Sequence, residues 1–101
     1  MTPEELFKKR LLDDCAECEK LGCSATVCRR MINEYGPIEA TKKLIQAKTA
    51  QFGFRFLMSK GENGKQFTME NRVLENPSLF TKDDILIAEW RIENWSKMPK
   101  S

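Results

Sequence analysis

The stretch CAECEKLGCSATVC, residues 15–28, holds all four cysteines of a 101-residue chain. Spaced C-x2-C-x4-C-x4-C, Cys15, Cys18, Cys23 and Cys28 could give zinc a closed tetrahedral shell of thiolates, and the leading CxxC raises a redox reading. The surroundings favour neither. A zinc knuckle places CxxC on a tight turn, whereas Cys15 and Cys18 continue a helical stripe begun by Phe7 and Leu11. A redox pair needs a helix N-terminus to lower the thiol pKa, and Cys15 lies far from one. The expectation is buried core thiols, with no metal and no cofactor.

Other chemistry is thin. The chain has no histidine, which removes the commonest general base, the Ser-His and Cys-His pairs and the HExxH metal site together. Asp13-Asp14 and Asp83-Asp84 are adjacent carboxylates, but helix neighbours point ~100° apart and do not share a site. Asp83 and Asp84 read as first-turn acids facing a helix dipole. No glycine-rich phosphate fingerprint is present. The expectation is a protein that is not an enzyme and has no catalytic residues.

Basic residues offer a second class of function. Arg29, Arg30, Lys42 and Lys43, with Arg55 among aromatics, could contact nucleic-acid phosphates if the fold gathered them on one side. Seventeen Lys and Arg against fifteen Asp and Glu leave only +2, with the signs interspersed, so solvated faces are the preferred reading. Nucleic-acid binding stays as the alternative.

The elements that must position these residues are helical. Thr2, Pro3 and Glu5 form a capping box with proline at the first helical position, and Leu21-Gly22 supplies the stop. Ser24 is the expected N-cap of a second helix carrying Val27, Cys28, Met31, Ile32 and Tyr35 inward. Gly36 ends it in a positive-φ conformation and Pro37 opens a third, expected to run to about Lys48 with Ile38, Leu44 and Ile45 inward.

Farther along, the aromatic knot from Phe52 to Met58 reads as a short helix, and KGENGKQ as a polar loop. Thr68 caps a helix that ends near Asn76, before Pro77. Thr81 and Asp84 open the last helix, with Ile85, Ala88, Ile92 and Trp95 on one stripe. The fold expected is all-α, a compact orthogonal bundle of about five to six short helices, in one domain over 1–96 with a frayed tail over 97–101.

An apolar fraction of 41% and a charged fraction of 32% are those of a globular domain. No apolar run approaches the ~20 residues of a membrane helix, and MTPEELFKKR is charged where a signal peptide turns apolar. A cytoplasmic location without membrane partners is expected, and a reducing compartment keeps thiols free.

The run LGCSATVCRRMINEYGPIEATKKLI, the Gly-Phe knot, and FTMENRVLENPSLFTKDDILIAEWRI together resemble a small uncharacterised helical domain that recurs in bacterial proteins, alone or attached to other domains. The resemblance covers roughly residues 20–95 and implies a fold, with no established reaction. It also implies that Cys23 and Cys28 are packing positions, because the family pattern has an aromatic and another bulky residue there. The chain departs from it in the longer ENGKQ loop, and in Leu86 and Trp90, where the pattern is polar.

Leu86 and Trp90 stand four apart on the last helix, away from its inward stripe. They form a second apolar edge that either rests on the long loop or the N-terminal helix or, left exposed, is suited to anchoring a partner. The function expected is a non-catalytic interaction module that binds another protein or itself through Leu86 and Trp90.

Overall fold

The computed structural model describes residues 1–100. Among them are seven α-helices: α1 Pro3–Lys20, α2 Thr26–Tyr35, α3 Pro37–Ile45, α4 Phe52–Ser59, α5 Glu62–Lys65, α6 Met69–Glu75 and α7 Lys82–Asn94, with 3-10 turns at Pro77–Leu79 and Trp95–Lys97. The only β contact among the described residues is an isolated bridge between Ala50 and Lys100. The fold is all-α, as expected. No described helix is long and apolar enough to cross a membrane.

Side-chain caps set three of the helix starts, those of α1, α6 and α7. The Thr2 hydroxyl accepts from the Glu5 amide while the Glu5 carboxylate accepts from the Thr2 amide, both at 3.1 Å. Thr81 and Asp84 repeat this reciprocal box at α7. Such caps satisfy amides that have no partner within the helix. Thr68 caps α6 by accepting from the Asn71 amide. Gly36 joins α2 to α3 at φ +85°, a region that side chains with a Cβ avoid.

Five expectations need correction. Val27 and Tyr35 do not face inward on α2: at its two ends they are 55% and 50% exposed, and Ile32 is the residue the helix buries. Ser24 does not cap α2: the N-cap is Ala25, and the Ser24 hydroxyl bonds Thr26 alone, whose hydroxyl lies at 3.1 Å and whose amide lies at a long 3.4 Å. The chain turns there to bury Ala25. Helix α3 stops at Ile45 rather than near Lys48, and the Leu44 and Ala47 carbonyls accept from the side chains of Gln51 and Arg91.

KGENGKQ is not a loop. It contains α5, folded back on the end of α4 so closely that a Cβ on Gly64 would lie 2.2 Å from the Leu57 carbonyl oxygen. This one-turn helix takes the count to seven. Nor does the tail fray: Met98 is buried, and the Pro99 carbonyl accepts from the Ala50 amide at 2.8 Å. The last residue of the expected tail, Ser101, lies outside the described residues.

Helix α3 touches α1, α2, α6 and α7. Its fully buried Ala40 and Ile45 meet Phe7, Leu11 and Cys15 of α1, Ile32 of α2, Val73 of α6 and Ala88 of α7 in one core. Phe7 packs edge-on against Phe80 with ring centroids 5.5 Å apart. Each large apolar side chain buried here contributes roughly 1.5–3 kcal/mol, largely offset by the entropy of ordering the chain. A second cluster joins Ala50, Phe54 and Met98, and a third joins Cys18, Cys23 and Leu57.

Candidate functional site

Two buried ion pairs brace the helices around the core. Arg72 of α6 forks onto Asp14 of α1, with Nε 2.8 Å from Oδ2 and Nη2 2.9 Å from Oδ1. Arg91 of α7 gives Nε to Glu70, Nη1 to the Ala47 carbonyl and Nη2 to Gln51, with its guanidinium 5.1 Å from the Phe54 ring centroid. Burial pushes the Asp14 and Glu70 carboxyls up, against the pull of Arg72 and Arg91.

Sequence reading missed these pairs. A signal existed for one of them: Asp14 stands three residues after Leu11 and seven after Phe7, on the buried stripe itself. A charge at a stripe position needs a partner in the core, but the partner's identity is not local information.

Beside these pairs opens an apolar cleft of about 430 Å³. Leu11, Cys15 and Cys18 of α1 form one wall and Phe52, Phe54 and Leu57 of α4 another, with Ala25, Val27 and Cys28 bringing in the start of α2. Thr68, Met69 and Glu70 close it from α6.

All four cysteines are free thiols; Cys15, Cys18 and Cys23 are buried and Cys28 is half-buried against the core. They associate in twos. The neighbouring Cys28 lowers the Cys15 thiol against the effect of burial, and Cys28 itself is pushed up by Cys15 and by burial. Burial, with Cys23 beside it, pushes Cys18 up to about 12. Among the described residues no three histidine, cysteine or acidic side chains come together as a metal-holding group.

The basic residues named from sequence are dispersed among separate contacts. Arg29 pairs with Glu19 at 2.6 Å, and Lys42 lies 3.6 Å from Asp84. Lys43 sits over the Tyr35 ring, 4.9 Å from its centroid. Arg55 is half-buried, with an Nε that has no hydrogen-bond partner among the described residues. Arg30 is exposed.

Leu86 and Trp90 are 54% and 55% exposed. Helix α7 turns Asp84, Ala88 and Arg91 inward instead. At ~100° per residue, Leu86 and Trp90 share an arc of roughly 120° with Lys82, Asp83, Glu89 and Glu93, all of them exposed. This face is an apolar pair flanked by three carboxylates and one ammonium. The chain matches no protein-family model, no curated protein and no solved structure.

Proposed function

We propose that the protein is a non-catalytic interaction module that binds another protein through the outer face of α7. The observation that carries this reading is the exposed Leu86–Trp90 pair, set at helical spacing on a helix whose other side buries Asp84, Ala88 and Arg91. Tryptophan is enriched among side chains that dominate binding energy, and a Leu-Trp step fills a groove in a partner. Charge narrows the partner. Asp83, Glu89 and Glu93 around the pair favour a groove rimmed by lysine or arginine, and they disfavour both a second copy of the same face and a phosphate backbone. The four free thiols fit a reducing, cytoplasmic setting. The order of motifs from Leu21 to Ile92 supports placing the chain with the bacterial helical domain it resembles.

The test is a titration with a helical leucine-lysine peptide, followed by amide shifts and by salt dependence. The expected result is saturable binding with shifts centred on Leu86, Glu89, Trp90 and Glu93, weakened by salt. Leu86→Glu with Trp90→Lys should abolish it while the chain stays folded. Unfolding of that double variant would mean the pair is structural. A dimer by sedimentation would assign the face to a second copy, and a salt-sensitive mobility shift with DNA or RNA would assign the protein to nucleic acid through Arg30 and its neighbours.

A further inference from the structure

We propose that the cleft between α1, α2 and α4 is a binding site for one uncharged, hydrocarbon-rich small molecule. Its volume of about 430 Å³ falls within the range of small-ligand sites. The cleft is separate from the α7 face, since neither Leu86 nor Trp90 lines it.

The class of ligand follows from the wall. Asp14 and Glu70 reach the cleft but are held by Arg72 and Arg91. Gln51 gives its amide N–H to the Leu44 carbonyl and accepts from Arg91 with its oxygen. Thr68 donates to the Lys65 carbonyl and accepts from the Asn71 amide, and Ser24 at the edge bonds Thr26. The polar side chains of the wall are therefore engaged with the protein, and no lysine or arginine lines the cleft. A ligand bearing a charge would lose hydration there with nothing to replace it.

Gly53 is the second observation. It lines the cleft from the first turn of α4, in a backbone conformation open to any residue. A Cβ there would meet nothing nearer than the Cys23 sulfur at 3.9 Å. Gly64 is glycine because α4 crowds it; Gly53 has no such reason, and the missing side chain leaves the cleft open. At the rim, Phe52 is 69% and Val27 55% exposed. Both are apolar surfaces that an occupant would cover.

The experiment compares two dyes of similar shape, neutral N-phenyl-1-naphthylamine and anionic 8-anilino-1-naphthalenesulfonate, titrated into the folded chain. The neutral dye should bind saturably at one site, and the sulfonate roughly tenfold or more weakly. Gly53→Leu should weaken the neutral dye roughly tenfold or more without lowering Tm. If Gly53→Leu does lower Tm, Val27→Trp, which crowds the mouth from an exposed position, must give the same loss in a fully folded chain. Absence of saturable binding, equal affinity for the two dyes, or undiminished binding by a folded Val27→Trp chain would overturn the proposal. Dye binding should survive Leu86→Glu with Trp90→Lys; its loss there would place the dye on α7 and overturn the cleft assignment alone.

Discussion

Arg91 of α7 donates its Nε–H to Oε2 of Glu70 of α6 across 2.7 Å, in a pair whose side chains are 2% and 4% exposed. The same guanidinium holds the Ala47 carbonyl and the Gln51 side chain, so one residue ties α7 to α6 and to the segment between α3 and α4. Removing one partner of such a pair strands a buried charge, which costs ~3–5 kcal/mol. Glu70→Leu should lose about that much in urea unfolding, with Tm falling ~4–8 °C per kcal/mol. Glu70→Leu combined with Arg91→Met should lose less than the sum of the two single changes. Additive losses would show that the pair is not energetically coupled.

The second prediction concerns acid. Burial pushes the Asp84 carboxyl up, but the Thr81 amide and hydroxyl, with Lys42 nearby, hold it below the ordinary 3.8 of an aspartate. A carboxylate lowered by folding contributes stability above its unfolded pKa, and that contribution is lost as pH falls through the lower folded value. Asp84→Asn should therefore destabilise by roughly 1 kcal/mol at neutral pH. The gap between the two proteins should narrow as pH drops below about 3.8. A gap that is constant from pH 7 to pH 3 would mean the charge contributes nothing.

At Gly36 the backbone sits at φ +85°, and the nearest atom to an added Cβ is Glu4 Oε1 at 3.8 Å. The space is open, so the cost of a side chain is conformational and not steric. Gly36→Val should destabilise by about 1–3 kcal/mol, read as a lowered Tm. An unchanged Tm would show that the α2–α3 junction relaxes to negative φ.

Thiol reactivity gives a fourth prediction. With its thiol pushed up to about 12 by burial, Cys18 is almost wholly protonated at pH 8. An unfolded cysteine, with pKa near 8.5, is partly thiolate there, so folding should slow the reaction of Cys18 with an aromatic disulfide reagent by roughly three orders of magnitude. Peptide mapping of partly labelled protein reads this directly. Labelling of Cys18 at the unfolded rate in folded protein would contradict its burial.

Much of the fold is legible in the sequence because its signals are local. Thr2-x-x-Glu5 and Thr81-x-x-Asp84 write both capping boxes, Gly36-Pro37 writes the α2–α3 junction, and Phe7, Leu11, Cys15 and Cys18 recur at helical spacing and are all buried. Caps and stripes involve residues a few positions apart, so short windows of sequence contain their physics. The place of Leu86 and Trp90 off the inward stripe of α7 follows the same periodicity, whereas their exposure rests on no other element covering them.

Tertiary structure alone decided the rest. Arg72 finds Asp14 across 58 positions and Arg91 finds Ala47 across 44, and no local pattern distinguishes these arginines from solvated ones. At and beyond the end of α3, the Leu44 and Ala47 carbonyls are met by the side chains of Gln51 and Arg91, which arrive from later in the chain. The helix inside KGENGKQ exists because Gly64 allows α5 to lie against α4. The cleft is a property of no single segment. It is the space left where α1, α2, α4 and α6 meet around a glycine, and the volume between helices is fixed by how whole elements pack, which spacing along one chain does not encode.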